Sequence, residues 1–276
     1  MANRYVLITG CSSGIGLAAA RGLRQHGFSV IASTRSEEDA ARLRGEGLTT
    51  VRLDLRDPAS IEAGAAEALY LAGGRLYGLF NNGAYGQPGA LEDLPTEALR
   101  EQLETNLIGW HHLIRLVLPG MLAAGEGRIV QNSSVLGLVA MRYRGAYNAS
   151  KFALEGYSDT LRLELAGSGV HVSLIEPGPI DTQFRVNARD AFLRHVDPKA
   201  SRHKKAYRQT LKRLEKEGPS GRFTLPPESC LPPLVHALSS RRPKARYPVT
   251  FPTRLFGWLR RLLPTRWLDR LLVKSA

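Results

Sequence analysis

"LITGCSSGIGLAAA" (residues 7–20) is the stretch on which the fold turns: a short apolar run, a cluster of glycines, then an Ala/Leu-rich segment. It reads as a strand, a glycine turn and a helix. Gly10, Gly14 and Gly16 are spaced G-x-x-x-G-x-G. One glycine lets the chain turn off the strand, one lets backbone N–H groups approach a pyrophosphate, and one lets helix and strand pack closely. The start of the helix adds a partial positive charge suited to an anion. A glycine-rich junction with no ligand would share this local pattern, so the surrounding chain has to decide.

Outward from that turn, short apolar runs recur at 5–9, 28–33, 49–53, 76–80, 128–132 and 170–175. Several are rich in Val and Ile and alternate little, as strands buried on both faces do. Segments rich in Ala, Leu, Arg and Glu at 15–26, 58–72, 96–124 and 146–167 read as helices. Alternating strands and helices imply a parallel sheet covered on both faces, and right-handed connections lead to a doubly wound α/β sheet. Residues 185–217 are polar, basic and helical in type, an insertion rather than another strand–helix unit. Pro226, Pro227, Pro232 and Pro233 bracket a short helix, and "ARYPVTFP" (245–252) reads as a last edge strand with its prolines at the ends.

With 276 residues, 43% of them hydrophobic and 23% charged, the chain can bury one large core and is not a disordered polymer. Cys11 and Cys230 lie far apart with no Cys or His at metal-ligand spacing. No metal is expected, and two free thiols suit a cytoplasmic setting. The N-terminus runs straight into the first strand, so no signal peptide is expected. No uncharged apolar run approaches the roughly 20 residues of a spanning helix. The net charge of +13 is concentrated: residues 241–276 hold ten Lys/Arg against one Asp, and 185–222 hold twelve against four acidic residues. Such charge suits an anionic cofactor, an anionic membrane surface or nucleic acid, and equally a solvated surface. Specific nucleic-acid recognition lacks a reading motif, and the aromatic residues are not interleaved with the basic runs.

"AYNASKFALEGY" (146–157) puts Tyr147 and Lys151 four apart on a helix, hence on one face. A phenol ordinarily titrates near 10, and an adjacent ammonium favours the phenolate, so the pair can work as a general acid/base near neutral pH. Ser134 lies just past the end of a strand, where ligands bind in open α/β sheets. Its hydroxyl can hydrogen-bond a carbonyl oxygen or cap a helix. Asn106 in "ETNLIGW" (104–110) either holds a water beside Lys151 or is a buried hydrogen-bonding amide. The second strand ends at Thr34-Arg35, without an acidic residue to accept from an adenosine ribose. An Arg there can pair with a 2′-phosphate, with the Ser12 hydroxyl adding a contact, so NADP(H) is favoured over NAD(H). Asp54, after the third strand, either sits near the adenine or caps the helix starting near Pro58.

"TGCSSGIG" (9–16), "NNGAYG" (81–86), Asn106, Ser134, "YNASK" (147–151) and "PGPIDT" (177–182) occur in the order and spacing of the short-chain dehydrogenase/reductase family. The chain resembles that family over residues 3–183. It is most similar to the NADP-preferring branch that includes 17β-hydroxysteroid dehydrogenases, retinol dehydrogenases and bacterial aldehyde reductases. The resemblance implies a single Rossmann-type domain of about seven strands over 1–276. Residues 1–183 would be the cofactor-binding and catalytic core, 184–222 a substrate lid, and 223–276 a C-terminal substrate and packing segment. It implies hydride transfer between NADP(H) and a small-molecule carbonyl or alcohol, with a hydrophobic aldehyde or ketone expected. Tyr147 would be the proton donor, Lys151 would lower its pKa and bind the nicotinamide ribose, Ser134 would orient the substrate, and Asn106 would hold a relay water. Cofactor contacts would come from Gly10, Ser12, Ser13, Gly14, Ile15 and Gly16 in the first turn. Arg35, Asp54 and Leu55 would follow the second and third strands, and Asn81 and Gly83 the fourth. Pro177, Gly178, Ile180 and Thr182 would meet the nicotinamide end with Tyr147 and Lys151. Two rivals are an NADP(H)-binding sensor without turnover and an NAD-dependent alcohol or hydroxysteroid dehydrogenase working oxidatively. The complete set Asn106–Ser134–Tyr147–Lys151 argues against the sensor.

One core motif departs from the family, which usually reads Asn-Asn-Ala-Gly where this chain reads Asn81-Asn82-Gly83-Ala84. Either Ala84 adds a methyl to a cofactor wall, or Gly83 takes up the special backbone angle and the wall shifts by one residue. The C-terminal stretch 254–276 mixes Leu, Trp and Phe with Arg at helical spacing, broken by Pro264. It fits amphipathic helices resting on an anionic membrane, a flap over an apolar pocket, a homo-oligomer interface, or plain packing on the main domain.

Overall fold

The computed structural model describes residues 4–274 apart from 217 and 220. Its strands are β1 (Tyr5–Ile8), β2 (Ser29–Thr34), β3 (Thr49–Arg52), β4 (Gly78–Asn81), β5 (Gly127–Asn132), β6 (Val170–Glu176) and β7 (Arg246–Pro248). They form one all-parallel sheet in the order β3-β2-β1-β4-β5-β6-β7. The helices α1 (Gly14–Gln25), α2 (Glu37–Gly45), α3 (Pro58–Leu71), α4 (Thr96–Leu103), α5 (Gly109–Ala123) and α6 (Gly145–Glu164) fall between or beside these strands. Beyond β6 come α7 (Phe184–His195), α8 (Lys204–Glu215), α9 (Leu231–Ser239), α10 (Phe251–Leu262) and α11 (Thr265–Lys274).

β1, β2, β4, β5 and β6 are buried along most of their length because successive side chains enter different cores. Leu7 packs with Leu79, Ile129, Trp110 and Leu113 on the α3/α5/α6 side. Val6 and Ile8 pack with Ala19, Leu23, Leu234 and Leu238 on the α1/α9 side. Strand side chains alternate between faces, so in a sheet covered on both sides apolar residues follow one another without a polar–apolar alternation. Because β1 pairs with β2 on one edge and β4 on the other, the chain reverses direction across the sheet between β1 and β4. The carboxyl ends of those two strands frame the crevice where such sheets bind ligands.

The expected helix over 96–124 is present but not uniform: α4 runs into a π turn at Glu104–Ile108 before α5 begins. Asn106 sits in that turn, and π turns inside helices concentrate at functional sites. The sequence reading missed α2, a short polar helix burying only Ala40 and Leu43, too few for a clear apolar stripe. Its signal lies in the cap: the Ser36 hydroxyl accepts from the Asp39 N–H at 3.2 Å, and Glu37, Glu38 and Asp39 fill the first turn. The short helix expected between the prolines is a 3-10 turn at Pro227–Cys230, and Pro232 and Pro233 fall in the first turn of α9, where proline forfeits no hydrogen bond. Asp57, not Asp54, caps α3 by accepting from the Ala59 N–H at 3.0 Å. The basic insertion folds as α7 and α8, and Pro264 separates α10 from α11. β7 is the last edge strand expected at 245–252.

Candidate active site

A cleft of about 560 Å³ opens at the carboxyl ends of β1 and β4. Gly10, Ser12, Ser13, Gly14 and Ile15 line one side of it, and Pro177, Gly178, Ile180 and Thr182 another. Gly10 (φ +71°) and Gly14 (φ +57°) adopt left-handed backbone angles that make the turn off β1. Gly16 serves proximity: a β-carbon there would lie 2.2 Å from the Gly10 carbonyl oxygen. A β-carbon on Gly14 would meet the Thr182 methyl at 3.0 Å. No side chain caps the start of α1, so its N–H groups stay available to an anion. This bare cradle fits the phosphates of a dinucleotide.

The wall after β4 is pinned to the glycine turn. The Thr9 hydroxyl accepts from the Asn82 N–H at 2.8 Å and the Gly83 N–H at 2.9 Å. The Asn82 amide donates to the Thr9 carbonyl at 2.9 Å, and its oxygen accepts from the Asn132 amide at 2.8 Å. From the other side, the Trp110 indole donates to the Gly83 carbonyl at 2.9 Å. Gly83 does not use a left-handed angle, so the notion that it takes over a special conformation fails. Ala84 lines the cleft directly.

Ser134, Tyr147 and Lys151 converge on the same cleft. The Ser134 hydroxyl accepts from the Leu136 N–H at 3.1 Å and is hydrogen-bonded to the Tyr147 phenol, so it caps a turn and also meets the tyrosine. Lys151 is buried, with its ammonium donating to the Asn132 carbonyl at 2.7 Å and lying 4.6 Å from the centre of the Trp110 ring. The electrostatics differ from the sequence expectation. Burial pushes the Tyr147 phenol up to about 12 and the Lys151 ammonium down to about 7, with the Glu155 carboxylate opposing the latter. Desolvation outweighs the Ser134 hydrogen bond and the Arg144 charge that favour the phenolate, and the Glu155 charge that favours the ammonium. Tyr147 therefore holds its proton at neutral pH, the form of a proton donor.

Other expected residues lie elsewhere. Asn81 is fully buried, and its amide donates to Gln131 on β5 at 2.9 Å, so its side chain faces the neighbouring strand and Asn82 takes the cleft. Leu55 is core, packed behind Gly83. The Asn106 side chain is buried and clasps the Tyr85 backbone, accepting at 3.2 Å and donating at 2.9 Å, and it donates to the Ser150 hydroxyl at 3.2 Å. Arg35 is exposed just past the end of β2, and Asp54 pairs with Arg56 at 2.9 Å; neither lines the cleft.

Three features escaped the sequence reading. Arg42 donates to the Ser12 carbonyl at 2.7 Å, tying α2 to the glycine turn. Phe184 stacks edge-on against Tyr147 at 5.4 Å between ring centres, and the lone aromatic at the start of a basic insertion was its only signal. Arg144, next to the α6 start, enters the cleft, and burial followed by the nearby Arg213 lowers its guanidinium to about 10. Neither arginine has a carboxylate partner among the described residues. Tyr143, just before it, adopts φ 60°, a strained angle for a bulky residue. No cluster able to hold a metal occurs among the described residues.

The family model for short chain dehydrogenases matches residues 4–192. The chain belongs to the short-chain dehydrogenase family. This short-chain dehydrogenase is 45% identical over 269 residues to the uncharacterized oxidoreductase YbbO of Escherichia coli (strain K12), covering 98% of this chain and 94% of that protein. It is 38% identical to human retinol dehydrogenase 8 over 193 residues, 66% of this chain and 61% of that protein. The crystal structure of a short-chain dehydrogenase/reductase from Burkholderia phymatum in complex with NAD superposes with TM-score 0.79 at 28% identity, covering 98% of this chain and 95% of that one. This short-chain dehydrogenase is thus an oxidoreductase with the family's Rossmann-type sheet, a fold that binds nicotinamide cofactors.

Proposed function

We propose that the protein transfers hydride between NADP(H) and a carbonyl or alcohol, chiefly reducing an apolar aldehyde or ketone. The convergence of Ser134, Tyr147 and Lys151 in the cleft framed by the glycine turn carries this reading. NADP(H), when bound, supplies the hydride. The neutral Tyr147 hydroxyl donates its proton to the carbonyl oxygen, and the Ser134 hydroxyl orients that oxygen. Lys151, fixed by the Asn132 carbonyl, anchors the nicotinamide ribose. Apolar side chains from Val135, Leu136, Met141, Phe184 and Phe256 line the substrate side, with α7 and α8 forming its lid. The Asn106 clasp keeps the 81–87 wall in place.

Exposed Arg35 at the end of β2, without an acidic neighbour at the strand end, supports NADP(H) over NAD(H). The paired arginines Arg144 and Arg213 favour a second substrate reading, in which the carbonyl compound carries an anionic group at their end of the cleft. NADPH oxidation should be followed over a panel of aldehydes, ketosteroids and oxo acids, with NADH as the comparison. Tyr147→Phe should bind NADPH normally and lose at least ~100-fold in turnover, the typical share of a general acid. Turnover unchanged in that variant would refute the assignment.

A further inference from the structure

The face of α10 turned away from the protein carries a stripe of large apolar residues. Phe251, Leu255, Trp258 and Leu262 recur at i, i+4, i+7 and i+11, and they are 58%, 40%, 64% and 70% exposed. On α11, Trp267 and Leu271 are also exposed, at 62% and 45%. Phe223 stacks on Phe251 at 5.3 Å and extends the patch toward the cleft. Helical geometry puts Arg254 and Arg261 along one edge of the α10 stripe. Arg254, Arg261, Arg266 and Arg270 are exposed and form no ion pair among the described residues. An apolar stripe bordered by arginines matches an interfacial helix, whose apolar face enters the acyl boundary while its cations meet anionic headgroups.

The opposite face of α10 belongs to the catalytic cleft. Pro252 and Phe256 line that cleft, and Phe256 packs in one cluster with Leu136, Leu272 and Tyr147. The Arg260 guanidinium donates to the Leu138 carbonyl at 2.8 Å, fixing α10 to the loop after Ser134. A β-carbon on Gly178 would lie 2.1 Å from the Thr250 hydroxyl that caps α10, so the start of the helix abuts the 177–182 loop. The helix is a thin partition with the cleft behind it and the exposed stripe in front. No helix among the described residues is long and apolar enough to cross a membrane, so contact would be at the surface.

We infer that the exposed faces of α10 and α11 dock on an anionic lipid bilayer and present the cleft mouth to it, so that the carbonyl substrate enters from the membrane. Charge separates this occupant from a second copy of the chain. Pairing two such faces would bring their arginines together, whereas anionic headgroups neutralise them. The cargo follows from the reading given under the proposed function; the docking does not depend on it. The substrate class is an aldehyde or ketone dissolved in lipid.

Docking is tested by sedimentation of the full-length, cofactor-free protein with vesicles of phosphatidylcholine alone or mixed with phosphatidylglycerol. Binding should be at least tenfold tighter to the anionic vesicles. It should fall at least tenfold in Trp258→Glu/Leu262→Glu and in Arg254→Glu/Arg261→Glu, with thermal melts unchanged. Should the apolar variant melt differently, the arginine variant, whose side chains are exposed and form no ion pair among the described residues, carries the test. The apolar variant should keep its turnover of a short water-soluble aldehyde while slowing at least fivefold on a long-chain aldehyde supplied in vesicles. Wild-type protein that ignores anionic vesicles, or variants that bind as well as wild type, would overturn the proposal. So would a lipid-free oligomer that Trp258→Glu/Leu262→Glu dissociates, which would assign the face to a second copy. Vesicle binding without carbonyl reduction would overturn the proposed function and leave the docking standing.

Discussion

Gly10 and Gly83 stand so close that a β-carbon on Gly10 would lie 2.6 Å from the Cα of Gly83. The contact constrains Gly10 far more than Gly83. Gly83 is small where the wall meets the glycine turn, and Ala84 lines the cleft while packing against the hydrophobic core. Gly10→Ala would add both a clash with backbone and a strained positive φ, costing about 2–4 kcal/mol. Gly83→Ala would meet only the movable Leu55 tip at 3.0 Å and the Gly10 nitrogen at 3.3 Å, for a cost of about 1 kcal/mol. Urea denaturation and NADPH titration should rank the two in that order. The double exchange Gly83→Ala with Ala84→Gly should change the NADPH dissociation constant by less than about tenfold, ~1.4 kcal/mol.

Lys151 should leave a pH signature in the cofactor-free protein. Burial holds its ammonium at about 7, against 10.5 for an unhindered lysine. Between those values the unfolded chain carries a proton that the folded chain lacks, so this residue makes stability rise with pH in that window. Thermal melts of wild type and Lys151→Met from pH 6 to 10 should therefore show the difference moving steadily in favour of wild type. A difference independent of pH would mean that the folded lysine titrates as it does in water.

Arg35→Ala should discriminate between the two nicotinamide cofactors. An arginine paired to a 2′-phosphate contributes charge-assisted hydrogen bonds of about 1.5–3 kcal/mol, or roughly 10–100-fold in affinity. Fluorescence titration should show that loss for NADPH and little change for NADH. Equal weakening of both would place Arg35 away from the 2′-phosphate.

Arg246 on β7 ties together three carboxylates behind the cleft. It reaches Glu155 at 3.0 Å and Asp159 at 2.7 Å on α6, and Glu176 at 3.3 Å at the end of β6. Glu155 in turn accepts from the Ser133 hydroxyl, beside Ser134. Removing the arginine by Arg246→Met should cost about 3 kcal/mol at pH 8, because buried carboxylates lose their partner. The cost should shrink at pH 5. Burial, followed by the neighbouring Glu155, lifts Glu176 to about 7, so protonation removes much of the unpaired charge there. Denaturant unfolding at both pH values reads this; equal costs would show that the charge on Glu176 is unimportant.

The fold and the core of the candidate site were legible because both are written in local patterns. Glycine spacing at 10, 14 and 16 marks a turn, and the four-residue step from Tyr147 to Lys151 marks one helix face. Asn81 and Asn82 were not separable by such patterns, since which one faces the cleft depends on how β4 pairs with β5. Asn106 was expected near a relay water; that its side chain also holds the Tyr85 backbone depends on the packing of α4 and α5 against the wall, which no local pattern gives. The uncovered stripe of α10 had four readings in sequence, because amphipathicity shows that one face is buried and leaves the occupant of the other open.

By itself, the sequence determined the succession of strands and of the helices other than α2, the glycine turn and the pairing of Tyr147 with Lys151, for these rest on backbone geometry and helical repeat over a few residues. Only the tertiary structure decided that Tyr147 keeps its proton, that Lys151 sits against Trp110, and that Gly83 faces Gly10. Desolvation and close approach are properties of surfaces brought together from distant parts of the chain, and no local pattern encodes them.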